Sequence, residues 1–436
     1  MASGPLAGIR VLEFSLIVAG PATGINLSDL GADVIKVEPP GGEAIRQSGA
    51  VVPNESKAFQ GYNRGKRGII VDLADPRGLE VIERLMPNID VVTSNYRPGV
   101  AERLGIDYES LVRLRPDLVY LEATGFGASG PASSLGGSDI VAQAYSGLMA
   151  GDAKVDEHGA PQTISATPVS DYGTALGSAM GICAALFHRE RTGEGQLIQA
   201  SLLRSALFLQ ANAVMREPVT DAVSAQPMLQ AVEEARAAGG SYADVIGLRQ
   251  LARRLRASMR IFYGGYRARD GGLVLGALTP ATRNSIRRIL GLEGERSDDP
   301  DFDAADPENQ AGVEAWLDTV RSRMAERPVA EWIEEFGAAG VPASAVQLPE
   351  ELADDPQVLA EGMMTELEHS VTGPQRVVGP IVTMSKTPTE ARLPAPALGE
   401  HTREVLTEFG FARAEVEALE AAGVIEQGAI SPRAPW

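Results

Sequence analysis

Asp171 is the residue in this chain best placed to do chemistry. It is the one acid at the start of TPVSDYGTALGSAMGICAALFHRERTGEGQ, residues 167–196. Ala175, Leu176, Ala179, Met180, Ile182, Cys183, Leu186 and Phe187 recur there at helical spacing, and Arg189, Arg191 and Gly193 close the helix. A carboxylate at a helix mouth is stabilised as an anion by the free N–H groups and the helix dipole. Capping is the ordinary use of such a residue. The other use is nucleophilic, because carboxylates attack activated acyl and glycosyl centres. The small residues leading in, Ser165 to Ser170, leave space above the carboxylate.

Other candidate motifs weigh less. Gly125-Phe-Gly-Ala-Ser-Gly130 has the GxGxxG spacing of dinucleotide loops, but Pro131 follows at once and no helix begins there. The first strand-to-helix turn, where that fingerprint belongs, reads Ser15-Leu-Ile-Val-Ala-Gly-Pro21. Glu38 ends the second strand like a ribose-binding acid, without a glycine loop to work with. The glycines at 125–130 are expected instead to let the backbone approach a ligand. No Walker A sequence occurs, and Ser146 lacks the first glycine of a nucleophile elbow. His158, His188, His369 and His401 are scattered without metal-ligand spacing, so no metal site is expected. His401, in Gly399-Glu-His-Thr402, reads as the start of the last helix rather than as a catalytic base.

The elements that must position Asp171 begin with repeated β–α units. Strands are expected at Arg10–Phe14, Asp33–Glu38, Gly68–Leu73, Asp90–Asn95 and Leu118–Thr124. Helices are expected between them at Pro21–Gly31, Pro76–Met86 and Gly99–Leu114. Such alternation implies a parallel sheet with helices on both faces and ligands at the carboxyl ends of the strands. Leu197–Val214 reads as one long helix, and 218–260 as helix-forming sequence such as EEARAA and LRQLARRLRA. An α+β segment starts near Ile261, with strands Ile261–Tyr266 and Leu273–Leu278 joined through Asp270-Gly271-Gly272. Glu293–Gln310 reads as a loop, Val313–Glu326 and Pro328–Ala339 as helices, and Gly373–Gly399 as largely extended. Helices at Arg403–Phe409 and Arg413–Ala422 end the fold. The resulting division is 1–215 for a large domain, 216–260 for a helical insertion or linker, 261–345 for a small α+β domain, and 346–436 for a linker and return to the large domain.

Composition narrows the class. The 436 residues suffice for two or three domains, with 44% hydrophobic and 22% charged residues. No apolar run is long enough to span a bilayer, and Cys183 is the only cysteine, which fits a cytoplasmic enzyme without disulfides. A net charge of −19 argues against nucleic-acid binding. Residues 1–115 carry 13 Lys/Arg and 14 Asp/Glu, leaving −18 downstream. Within that first quarter, Lys57, Arg64, Lys66 and Arg67 run without an intervening acid, either as a solvated loop or as an anion site.

Six blocks carry a resemblance to a known family: LAGIRVLEFSLIVAGPATGINLSDLGADVIKVEPPGGEAIR, NRGKRGIIVDLADPRG, SNYRPGVAERLGIDYESL, YLEATGFGASGP, the Asp171 segment, and RLPAPALGEHTREVL. In this order they resemble the class III CoA-transferases (CaiB/BaiF type), the family of formyl-CoA and carnitine CoA-transferases, over most of the chain except about 215–260. The resemblance implies a Rossmann-like large domain, built from the N-terminal half and the C-terminal tail, with a smaller α+β domain. It also implies an interlocked homodimer. Asp171 is then the catalytic nucleophile. CoA contacts are implied for Val18, Pro39, the backbone of Val71, Asp72, Leu73 and Ala74, and for Asn95, Tyr96, Arg97, Arg103, Thr124 and Phe126. Arg97 and Arg103 are the implied phosphate partners, with Lys66 and Arg67 either helping or pairing with acids beside the third strand. The implied partners are acyl-CoA and a carboxylic acid, CoA being a substrate, so no cofactor is expected.

Two departures bear on the substrate. The small-domain hairpin reads SMRIFYGGYRARDGG, with only Gly264-Gly265 where the formyl-CoA branch has a glycine run, which argues against oxalate and formyl-CoA. The 2-methylacyl-CoA racemases of the superfamily use a histidine in a Gly-His-Asp context, where this chain has Gly137-Ser138-Asp139. The second acid–base group of a racemase is therefore missing. Racemisation and non-catalytic CoA binding are the alternatives to transfer.

Overall fold

The computed structural model describes residues 4–254 and 257–428; residues 1–3, 255–256 and 429–436, which fall in the ranges 1–215, 216–260 and 346–436, lie outside it. Two compact units form, one from Met1–Met149, Thr163–Met215 and Asp355–Trp436, the other from Ala150–Gln162 and Arg216–Asp354.

The first unit is built on strands β1 (Arg10–Phe14), β2 (Asp33–Glu38), β3 (Lys66–Val71), β4 (Val91–Ser94), β5 (Val119–Thr124) and β6 (Gln196–Ser201). They pair in parallel in the order β3-β2-β1-β4-β5-β6, the doubly wound arrangement. In-register residues such as Val11, Val34 and Val91 share one face with Ala179, Ile182, Ala185 and Leu186 of the Asp171 helix. Leu12, Phe14, Ile35, Ile69 and Val92 share the other with Ile82 and Leu85. Both faces are thus covered, as a parallel sheet requires. The helix after β1, Ala19–Asp29, packs so close that a Cβ at Gly20 would lie 2.3 Å from Ser15 Cβ.

Several expected elements are corrected. Gln196–Ser201 is the sixth strand, and the expected long helix at Leu197–Val214 becomes two short helices, Leu202–Phe208 and Ala211–Val214. Pairing with β5 overrides the helical pattern of an edge strand whose outer residues stay exposed. The expected helix at Gly99–Leu114 breaks at Gly105 (φ 71°), giving Val100–Leu104 and Tyr108–Leu111. A hairpin, β10 (Met364–His369) with β11 (Gly373–Val378), opens the extended region. A two-residue strand, β12 (Ile425–Glu426), adds antiparallel to β3 after the last helix.

The second unit has an antiparallel sheet of β7 (Tyr263–Arg267), β8 (Gly272–Gly276) and β9 (Ala343–Ala345). The expected strand start at Ile261 is a helix end, Ala257–Phe262. Helices Pro280–Leu290, Pro307–Glu326 and Val329–Ala338 cover the sheet around Phe262, Leu273, Leu317, Trp332 and Phe336. No helix among the described residues is long and apolar enough to cross a membrane.

Candidate active site

The chain reverses direction across the sheet between β1 and β4: β1 leads outward to β2, and β4 leads the other way to β5. Such a switch point opens a crevice at the carboxyl ends of the strands. A cleft of ≈ 500 Å³ lies there, walled by the β1 exit turn (Leu16, Ile17, Val18), the β4 exit (Asn95, Tyr96, Arg97) and the β5 exit (Thr124, Gly125). Ser138, Asp139 and Asp171 complete it.

Asp171 is the third residue of the helix Val169–Thr192, whose N-cap is Pro168, without a capping side chain of its own. The cap comes from another segment. Asp139 accepts the N–H groups of Ser170 at 2.7 Å and of Asp171 at 3.3 Å. Gln143 donates to the other oxygen of Asp139 and accepts the N–H of Ile164 at 3.1 Å, so the cap is itself held in place. The capping role expected of Asp171 therefore belongs to Asp139. The carboxyl of Asp171 is half-buried in the cleft with no hydrogen-bond partner among the described residues. Burial first, and the neighbouring Asp139 second, push its pKa up to about 7. A desolvated, unpartnered carboxylate beside open space has the features of a nucleophile rather than of a cap.

Residues 6–402 match the model of CoA-transferase family III. The chain belongs to that family. It is 32% identical over 429 residues to the succinyl-CoA:glutarate CoA-transferase of Mus musculus, covering 97% of this chain and 91% of the relative. The succinate–glutarate CoA-transferase of Agrobacterium fabrum is 34% identical over 416 residues, 93% of this chain and 96% of the relative. Among solved structures, a CaiB/BaiF family protein from Brucella suis matches with a TM-score of 0.72 at 28% identity, covering 93% of this chain and all of that one. The chain is thus a family III CoA-transferase.

In this transferase, Val18, Asn95, Tyr96, Arg97 and Thr124 line the same cleft as Asp171. Phe126 follows Thr124 and packs edge-on against Tyr145, ring centroids 5.1 Å apart. Pro39 and Val71–Ala74 stand at the ends of β2 and β3, farther along the same sheet edge, outside the cleft wall. Arg103 is exposed on the first helix after β4. Two of these side chains are committed internally. The amide of Asn95 both accepts from and donates to the backbone of Leu16, each at 2.8 Å, and Thr124 Oγ1 accepts the N–H of Gly127 at 2.9 Å. Gly125 lies against the backbone of Gly137, where a Cβ would come within 2.5 Å of the Gly137 Cα. The glycine at 125 thus allows this close contact between two segments at the cleft wall.

Three of the four cations in the basic stretch are committed to acids of the chain, and Lys57 is exposed. Lys66 is fully buried and donates to Glu13 at 2.8 Å and Asn63 at 2.9 Å; Arg64 pairs with Asp29; Arg67 pairs with Asp33, Glu404 and Glu408. His401 accepts the N–H of Gly68 through Nδ1 and stands as the N-cap of the helix Thr402–Glu408. Asp139, whose carboxylate caps the Asp171 helix, enters the sequence expectations only as the neighbour of Ser138, yet it carries a signal of its own: it opens the short helix Asp139–Tyr145 as a lone acid.

Proposed function

We propose that the transferase moves CoA from an acyl-CoA thioester to a carboxylic acid through covalent intermediates on Asp171. The observation that carries this reading is the unpartnered, half-buried Asp171 carboxyl at the switch-point cleft. One carboxylate oxygen attacks the thioester carbonyl; the new C–O bond replaces the C–S bond, and CoA leaves as a thiolate. The thiolate attacks Cγ of Asp171, forming the enzyme-bound thioester and releasing the donor acid. The acceptor carboxylate attacks Cγ in turn, expelling the thiolate, which then attacks the acceptor acyl carbon and frees Asp171. No water, proton or electron is consumed, so the cycle balances with CoA alone. Splitting one exchange into activated acyl steps is the gain of covalent catalysis. In this reading CoA lies along the strand ends from Val71–Ala74 and Pro39 to Val18 and Asn95–Arg97, with Arg97 and Arg103 as phosphate partners. Two chains assemble as a homodimer. The names of the relatives make succinyl-CoA with glutarate the first donor–acceptor pair to test. Leu16, Ile17, Val18, Leu135 and Leu202 in the cleft extend the screen to apolar acids.

The test is to incubate the protein with acyl-CoA, trap with hydroxylamine or borohydride, and read intact and peptide mass. A modification at Asp171, lost together with CoA exchange in Asp171→Ala, is expected. Near-wild-type exchange in Asp171→Ala would overturn the mechanism.

A further inference from the structure

The turn leading out of β1 is held in a conformation its sequence resists. Ile17 has φ of 68°, a left-handed backbone that β-branched residues rarely adopt. No glycine, asparagine or aspartate stands there to ease it. Such a conformation persists only where the surroundings over-determine it. Three side chains do so, residue by residue. Lys36 Nζ donates to the carbonyl of Ser15 at 2.6 Å. Asn95 closes both backbone groups of Leu16. Glu43 Oε2 accepts the N–H of Ile17 itself at 2.9 Å.

Glu43 is in turn fixed. Its other oxygen lies 2.9 Å from Lys36 Nζ, with the two side chains 1% and 0% exposed, and its own N–H donates to Glu38. Lys36 is also 3.4 Å from Glu13, its register partner across β1 and β2. Buried ion pairs of this kind are weak sources of stability, and one attested use of them is to enforce a specific geometry. Here the enforced geometry ends at the cleft, because Ile17, 48% exposed, and Val18 form its wall beside the residues that surround Asp171.

We propose that Glu43, backed by Lys36, is a positioning residue that grips the Ile17 amide and so fixes the Ile17–Val18 wall against which the thioester meets Asp171. The reaction it serves rests on the Asp171 transfer reading above. Misplacement of a reacting geometry by about 1 Å costs up to about 10²-fold in rate, so loss of the grip reaches turnover without removing any group that touches substrate.

Four variants test it: Glu43→Asp, which keeps the buried charge beside Lys36 but shortens the reach to Ile17, Glu43→Gln, and each combined with Ile17→Gly. Two readings are taken: amide hydrogen exchange of the peptide containing residues 15–18, and kcat and KM for CoA exchange with the wild-type donor. Glu43→Asp is expected to lose amide protection there and to lose kcat by about 10- to 100-fold, with KM for the thioester changed less than about threefold; Glu43→Gln keeps one oxygen for which Lys36 and the Ile17 N–H compete, and is expected to lose less of both. Glycine adopts positive φ without strain, so Ile17→Gly is expected to hold the turn at Val18 and recover part of the lost kcat, while the position-17 amide, still without its acceptor, stays unprotected. A merely structural Glu43 would lower melting temperature without that rescue. The proposal is overturned if Glu43→Asp keeps protection and keeps kcat within about twofold of wild type, or if Ile17→Gly recovers none of the lost kcat. Should Glu43→Gln fail to fold, Glu43→Asp carries the comparison. A wild-type protein without CoA exchange sinks the transfer reading instead, and the loss of amide protection in Glu43→Asp still decides the grip.

Discussion

At the scale of the residue, Asp171 sits in tension between helix and burial. The helix start favours its anion, while desolvation and Asp139 oppose it, and the opposition prevails with a pKa of about 7 against an ordinary 3.8. A carboxyl with a raised folded pKa loses stability as pH rises from its unfolded value to its folded one. Above about pH 7 the wild-type protein therefore carries the full penalty of holding Asp171 ionised. Asp171→Asn, which keeps the shape, is expected to stabilise the protein by about 2–4 kcal/mol at pH 8 and to change little below pH 4, measured by denaturant melts at both pH values. The same variant loses CoA exchange. A mutant no more stable than wild type at pH 8 would mean that Asp171 has a partner in solution. The reactive form is the anion, so turnover is expected to rise with pH through about 7 and then level. Asp139→Asn removes the like charge and still offers an oxygen to the Ser170 N–H. Its pH–rate limb is expected to move lower while staying above the ordinary carboxylate range, because burial is the larger cause. An unmoved limb would take Asp139 out of the tuning.

At the scale of the element, legibility in the sequence followed the kind of force involved. The strands Arg10–Phe14 and Asp33–Glu38 are legible to the residue because each is short, carries an apolar run (Val11-Leu12, Val34-Ile35) and is bounded by loop residues, whereas the burial of Glu13, Lys36 and Glu38 within them is not. β6 is not legible, because an edge strand shows solvent half of its pattern and owes its state to pairing with β5. The nucleophile candidate was readable from its lone position, yet its freedom was not, since the cap arrives from a segment 32 residues earlier. The basic stretch leaves two alternatives open in the sequence for a similar reason, and the structure bears out the pairing one: Lys66 and Arg67 meet acids of nearby strands and of the distant helix Thr402–Glu408. The hairpin β10–β11 was hidden too, and its turn depends on one buried side chain. His369 Nδ1 accepts the N–H groups of Val371 and Thr372, each at 3.1 Å, and Nε2 faces Glu55 at 3.3 Å. Accepting at Nδ1 fixes the neutral ring with its proton on Nε2. His369→Ala is expected to orphan both amides and cost about 1–3 kcal/mol, with faster amide exchange confined to 364–378. Uniform loss of protection across the chain would show instead that the hairpin is not a separable unit.

At the scale of the whole molecule, the helix that carries Asp171 has more apolar surface than one chain uses. Its eight apolar positions read as one face in the sequence and separate into two stripes in the structure. Ala175 is buried, and Ala179, Ile182 and Leu186 are buried against the sheet, whereas Met180 and Phe187 are 72% and 64% exposed, with Leu176 beside them. Ile381 and Val382 of the C-terminal segment border the same stripe and are also largely exposed. A chain with a net charge of −19 has no shortage of polar residues with which to coat a solvent face. Contiguous apolar surface of this sort marks an interface. The proposed homodimer assigns it to a second copy, and sedimentation is expected to give twice the 46.0 kDa of the chain at micromolar concentration. Met180→Asp with Phe187→Asp places two charges on the outer stripe while leaving the buried stripe and the cleft intact. If the copies meet there, the double variant is expected to sediment as monomer or to be lost as insoluble protein. A double variant that remains dimeric and fully active would place the interface elsewhere, and a monomeric wild type would remove the homodimer altogether.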